Sequence, residues 1–434
     1  MKKFAWVACP LATVWLGSAC SSGPACPAGV AADECVSISA GTSSTDIEAK
    51  LTTLTGGETV VFDKGTFMMT DTITIAADNV TVIGAGIDQT IFDFSGAVGG
   101  DGEGFFAQSI QNIALEGFTV RDTLGDAVKV LGGTGVVLKN IKTLWTADDP
   151  STHGGYGLYP VQSKDIVVEG CEATGGSDSG IYLGQSDHAV IHDNLVHDNV
   201  AGIEVENTYY AEVFSNDVHD NTAGILVFDL PGLQQLGGHD VLVHDNNVHD
   251  NNTPSFAASG DTVSLVPRGT GILVMANSNV EFKNNTVTGN LTGNSAVLSY
   301  YVTQLQIQDP NYYPFPKNVW IHDNTFSGGG TTPDLTKAIG LLLSTAQSDF
   351  PNDAVPDLLW DGMVDPTIAQ QDPNNANPMN LCYSNNGSST FVDLHIDQLN
   401  STNSNLAQIM TQDMTAVSCT GNAVPPITFT GSDQ

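Results

Sequence analysis

A repeat of about 22 residues limits what this chain can fold into more than any other feature. Gly180-Ile181-Tyr182-Leu183, Gly202-Ile203-Glu204-Val205, Gly224-Ile225-Leu226-Val227 and Gly271-Ile272-Leu273-Val274 recur, led by Gly157-Leu158-Tyr159-Pro160, with glycine spacings of 23, 22, 22 and 47 residues. The last step is two periods, or one period with long loops. A second series runs out of phase: Ile191-His192-Asp193-Asn194, Val213-Phe214-Ser215-Asn216, Val243-His244-Asp245-Asn246, Phe282-Lys283-Asn284-Asn285 and Ile321-His322-Asp323-Asn324. Self-similarity at this period, built from short stretches of alternating apolar residues, describes one turn of a stacked solenoid. At 434 residues the chain exceeds a single ordinary core, and 45 glycines with only 14% charged residues suit short strands and tight turns. The expected fold is all-β, a right-handed parallel β-helix.

Alternation assigns the faces. In Gly202–Glu206, Ile203 and Val205 point inward and both glutamates outward. Coils stack at about 4.8 Å, so Asn194, Asn216, Asn246, Asn285 and Asn324 form a turn ladder whose amides hydrogen-bond along the stack. Cys171 occupies the same register and is expected to be a buried structural thiol. A helical cap starts at Ser44-Thr45-Asp46, and excursions at residues 230–239 and 252–268 interrupt the stack. The expected organisation is a signal peptide over 1–19, a linker over 20–43 and the β-helix over 44–345. A looped C-terminal region, rich in Pro, Asn and Asp, follows over 346–434, with a last coil near 381–396.

Lys2 and Lys3, the apolar stretch 4–16 and Gly17-Ser18-Ala19 before Cys20 read as a signal peptide. The stretch is too short to span a bilayer core. Lipidation of Cys20 is expected, with simple cleavage after Ala19 as the alternative. The protein would thus be exported, as an outer-membrane lipoprotein, in the periplasm or at the cell surface, touching membrane only through lipid. In that compartment Cys26 with Cys35, and Cys382 with Cys419, are the natural disulfides. A net charge of −35 repels phosphate backbones and argues against nucleic acid.

The outward side of the glycine-led strands presents Tyr159, Tyr182, Glu204, Leu226 and Leu273. Val161, Gly184, Glu206, Phe228 and Met275 run beside them, then Gln162, Gln185, Asn207 and Asp229. Aromatic faces next to amides and carboxylates suit sugar rings. Against this, the apolar half of the stripe needs a cover, which the long loops or the C-terminal region can supply. Glu204 and Glu206, about 7 Å apart on one strand, are an acid/base pair, a cation site or a solvated edge. Arg268 either binds a substrate carboxylate or neutralises Asp229 or Glu206; the ion pair is the favoured reading. The predicted ligand groove contains Tyr159, Gln162, Tyr182, Gln185, Glu204, Glu206, Asn207, Asp229 and Arg268. His197, His219 and His249 share one coil position and His192, His244 and His322 another. Neighbouring side chains diverge, so no metal site is assigned. No cofactor is expected, though the acidic surface leaves weak calcium binding open.

Residues 156–163 (YGLYPVQS), 180–186 (GIYLGQS), 201–207 (AGIEVEN) and 224–233 (GILVFDLPGL) resemble exported bacterial parallel β-helix repeat (lipo)proteins, over roughly 110–345. That resemblance implies the fold and export, and a second exported protein as partner; it transfers no catalytic residues. More distantly the coils are similar to polysaccharide lyases and uronate C5-epimerases, whose Asp-Pro-His motif finds only Asp148-Asp149-Pro150 and His153, at different spacing. Three functions follow: carbohydrate contact along the outward face, catalysis as a lyase or epimerase, and scaffolding of a second exported protein. Catalysis is disfavoured because the stripe has few basic neighbours, mainly Lys129, Lys164 and Arg268.

Overall fold

The computed structural model describes residues 24–98, 102–347, 353–399 and 405–429. The expected signal peptide and the expected lipidation site, Cys20, lie outside the described residues. Among the described residues, no helix is long and apolar enough to cross a membrane.

The chain winds as a parallel β-helix. One coil comprises Ser179–Gly184, Asp187–His192 and Leu195–His197, and the next Ala201–Glu206, Tyr209–Phe214 and Asp217–His219. Each strand pairs in parallel with its counterpart one coil on. Ile181, Ile203, Ile225 and Ile272 therefore align through the stack, all buried. Phenylalanines fill the first coils: Phe92 packs edge-on against Phe62, Phe105 and Phe118 at 4.8, 4.9 and 5.3 Å between ring centroids.

The asparagine ladder is continuous. Nδ2 of Asn194 donates to Oδ1 of Asn216 at 2.9 Å, Asn216 to Asn246 at 2.9 Å, Asn246 to Asn285 at 2.9 Å, and Asn285 to Asn324 at 3.0 Å. Asn386 extends it by one rung, at 3.1 Å from Asn324. Each amide also serves the main chain: Asn216 Nδ2 donates to Ile191 O, and its Oδ1 accepts from Asn194 N. Buried amides are thereby satisfied without water. Cys171 takes the next place, its N–H donating to Asn194 Oδ1 at 2.9 Å and its thiol, pushed up to about 12 by burial, facing Leu138 O. A second ladder joins Asn199, Asn221, Asn251 and Asn290 at 2.9, 2.9 and 3.1 Å.

The recurring His-Asp pairs belong to the same turns. Asp198, Asp220 and Asp250 adopt left-handed φ of 58, 54 and 52°, a conformation that Asp tolerates better than most residues. Their carboxylates lie 2.7, 2.9 and 3.0 Å from Nδ1 of His197, His219 and His249, whose rings stack at 5.3 and 5.0 Å.

The stack starts earlier and ends later than the repeats suggest. Cys35–Ile38, inside the expected linker, pairs with Thr59–Phe62, and helix Ser44–Leu51 follows that strand, burying Ile47 and Leu51. Beyond residue 345, helix Ala338–Ser344 has just ended. Strands Leu358–Trp360, Cys382–Ser384 and Phe391–Asp393 then add to the sheets in parallel. The C-terminal region therefore holds strands where a last coil was expected, near 381–396, and adds Leu358–Trp360 before them. Disulfides join Cys26 to Cys35 and Cys382 to Cys419.

Candidate functional site

One outward column runs the length of the eleven-stranded sheet. Thr74 pairs with Phe106, Phe106 with Lys129 and Lys129 with Tyr159; Tyr182, Glu204, Leu226 and Leu273 continue it. The column has two halves. From Leu226 onward it is covered: Leu226, Phe228, Leu273 and Met275 pack against Val263 and Val266 of the 252–268 excursion and against Ile339 and Leu343 of helix Ala338–Ser344. A cavity of about 30 Å³ remains beneath this roof, lined by Glu204, Thr262 and Thr303 and otherwise by apolar side chains such as Leu226, Val263 and Ile339.

The other half stays partly open. Tyr156 and Tyr159 are half-buried, and the rings of Tyr156, Tyr159 and Tyr182 meet at 4.3 to 4.9 Å. Tyr182 itself is only 4% exposed, and its hydroxyl donates to Glu206 Oε2 at 2.6 Å. Gly184 makes this possible, because a Cβ there would collide with the Tyr182 ring. Lys129 Nζ lies 5.2 Å over the Tyr159 ring and pairs with Glu103 at 3.2 Å and Asp126 at 3.1 Å. Glu103 also lines a cavity of about 300 Å³ with Thr72, Thr74 and Phe106, the lower end of the size range of ligand sites.

Carboxyl groups crowd this end. Burial pushes Asp178 up to about 7, opposed by a hydrogen bond from Tyr156 and reinforced by Asp261, Glu206 and Asp126. Burial likewise raises Glu206 to about 7, against the Tyr182 hydrogen bond. Glu204, 2% exposed, is held well above the carboxylate range by burial and by Asp178 and Glu206; its Oε1 has no hydrogen-bond partner. Asp126 is raised by burial despite Lys129. Acids driven towards neutrality in a cleft mark candidate functional groups.

Several expected site residues do other work. Asn207 clamps the 230–238 loop, donating to Leu230 O and Gln235 O and accepting from Leu230 N at 2.9, 2.8 and 2.7 Å. Asp229 accepts from Gly237 N at 2.6 Å and Gly238 N at 2.7 Å, and Gln185 Oε1 accepts from Gln234 N at 3.0 Å. Gln162 occupies a left-handed turn position with φ 51°. The favoured ion pair of Arg268 with Asp229 or Glu206 is absent: Arg268 is exposed, and its main-chain N–H reaches Asp334 instead. The open Tyr159–Tyr182 platform is corrected too, since only Tyr159 reaches the surface. Strand alternation within the repeats does not reveal Phe106, Glu103, Asp126, Tyr156 or Asp178. Phe106 carried a signal, standing in the same column two coils before Tyr159; Asp126 and Asp178 sit in turns, where alternation is silent.

No curated protein matches the chain by sequence. Among solved structures, the A-module of an Azotobacter vinelandii mannuronan C-5 epimerase is 14% identical with a TM-score of 0.44, covering 73% of this chain and 89% of that one. Pectate lyase Pel9A is 12% identical with a TM-score of 0.40, covering 65% and 70%. The N-terminal fragment of bacteriophage phi29 gene product 12 is 15% identical with a TM-score of 0.42, covering 66% and 61%. A family model described as a right handed beta helix region matches residues 73–231 and 154–308, together more than half of the chain. The chain belongs to the right-handed β-helix family.

Proposed function

We propose that this protein is exported and contacts carbohydrate at the open end of its outer column, between Thr74 and Asp178. The observation that carries this reading is the pairing of half-exposed aromatics with hydrogen-bonding groups. Phe106 and Tyr159 stand two coils apart in one column, roughly 10 Å along the stack, beside the cavity that Glu103 and Thr72 line. Ring faces against aromatics and hydroxyls against carboxylates are what sugar recognition asks for. The contact is shorter than the whole outward face, because the roof closes it at Glu204. Attachment to the envelope through Cys20, or release by cleavage after Ala19, is part of the same proposal.

Native gels cast with soluble β-glucan, xylan, mannan or chitosan test it. Retardation of the wild type by at least one polymer, lost in Tyr159→Ala and Phe106→Ala, supports the reading; unretarded migration in all four removes it.

A further inference from the structure

We infer that the outer face of the twenty-stranded sheet carries a peptide-docking track, which takes an extended segment of the pattern apolar–Pro–Pro–apolar from a partner protein. The chain's own C-terminal segment shows the fit. Glu212 and Glu281 stand two coils apart in one outward column, with Leu242 between them. Both glutamates are buried, and each divides its two oxygens. Oε1 of Glu212 meets His244 Nε2 at 3.0 Å; Oε1 of Glu281 meets His322 Nε2 at 3.0 Å and Lys283 Nζ at 3.3 Å. The solenoid thus fixes each carboxylate by one oxygen and offers the other. Oε2 of Glu281 accepts from Val424 N at 2.6 Å, and Oε2 of Glu212 from Ile427 N at 2.8 Å.

Spacing and conformation match the track. A polyproline-like chain rises about 3.1 Å per residue, so the step from Val424 to Ile427 is about 9.3 Å; two coil steps are about 9.6 Å. Pro425 and Pro426 impose that extended form on themselves and on Val424 before them, and bring no N–H to be left unpaired between the carboxylates. The hold is light. Val424 is buried, but Asn422, Ala423, Pro425, Pro426 and Thr428 are exposed. Among the described residues of 420–429, the bonds from Val424 and Ile427 are the only hydrogen bonds. The disulfide Cys382–Cys419 secures the last coil where the segment leaves it, so the segment can lift without unravelling the solenoid. It is a displaceable resident, tethered at an effective concentration of about millimolar. A partner segment gains on it by reaching further. Past Glu212 the column continues as Val190, Val167 and Val137, the last two only half-buried.

Fluorescence anisotropy on the full chain tests the inference with a labelled peptide of the sequence of residues 420–429. Val424→Asp sets a charge against Glu281 and unseats the resident while leaving the track intact. That variant should bind the peptide at least roughly tenfold tighter than the wild type, whose track is occupied. A peptide carrying Pro425→Gly and Pro426→Gly should bind about tenfold more weakly, because its extended form is no longer preset. Adding Glu212→Ala and Glu281→Ala to Val424→Asp should abolish binding while leaving the melt cooperative. No binding to a cooperatively melting Val424→Asp chain overturns the inference, as does equal binding by the wild type or of the glycine peptide. Binding retained without both glutamates overturns it as well. Dimers of the wild type that Val424→Asp removes would assign the track to a second copy and overturn the partner claim. A chain with a protease site inserted between Thr420 and Gly421, folded whole and then cut, replaces any variant that does not fold. Exchange of its freed segment for the labelled peptide supports the inference; retention without exchange, or loss without peptide binding, overturns it.

Discussion

Tyr182 reaches across the gap between coils to Glu206, its hydroxyl 2.6 Å from Oε2, over a backbone position that only glycine leaves clear. Three residues of the repeat thus depend on one another: the ring, the carboxyl it donates to, and Gly184. The same bond explains why Tyr182 is buried although it sits on the outward side of its strand.

Gly184→Ala should therefore displace the ring and break the bond. Overpacking of this kind costs about 1–3 kcal/mol, readable as a lower urea midpoint with an unchanged slope.

Tyr182→Ala should destabilise by about 3–5 kcal/mol, as removal of a large buried aromatic does. Tyr182→Phe should cost about 1–3 kcal/mol, because Glu206 then lacks its donor. Urea titrations of the pair separate the two contributions. An outward ring on an open platform would leave the melt almost unmoved, and the burial of Tyr182 rules that expectation out.

The carboxyl cluster makes stability depend on pH. Glu206 is raised from the ordinary 4.5 to about 7 by burial. A carboxyl whose folded value lies above its unfolded value binds its proton more tightly when folded. Its contribution is complete below about pH 4.5 and is lost as pH rises through about 7. At 1.4 kcal/mol per unit the loss is on the order of 3 kcal/mol. Melting temperatures should fall between about pH 5 and pH 8 in the wild type, and Glu206→Gln should flatten the fall.

Asn216→Ala removes the middle of the ladder. It leaves Asn194 N and Nδ2, Ile191 O and Asn246 Oδ1 short of a partner inside the solenoid. A loss of about 3 kcal/mol or more is expected, larger than for Asn386→Ala at the ladder's end. Guanidinium melts of the two variants check the order.

Much of the fold was legible. The glycine spacing gave the coil, and Asn194, Asn216 and Asn246 gave the ladder and its register. The second ladder was equally visible, since Asn199, Asn221 and Asn251 each follow a His-Asp pair as Asn194 and Asn246 do. The candidate site was half legible. Alternation placed Tyr159, Tyr182 and Glu204 on one outward column, and the apolar Leu226, Phe228, Leu273 and Met275 called for a cover, but neither signal showed that Tyr182 and Glu204 are buried too. The cover comes from Val263, Val266 and Ile339, in segments without repeat periodicity and far away along the chain. Asn207 and Asp229 look like ligand groups in sequence because a loop clamp and a sugar site ask for the same polar side chains.

Hydrogen exchange with and without a saturating soluble polysaccharide that retards the wild type tests the central claim most directly. Slowed exchange is predicted in peptides covering Ile73–Ile75, Phe105–Gln108, Val128–Leu131 and Tyr156–Val161, with the roofed strands Ala223–Phe228 and Thr270–Met275 unchanged. Protection confined to the roofed strands, or to the histidine-bearing sheet on another side of the solenoid, would contradict it.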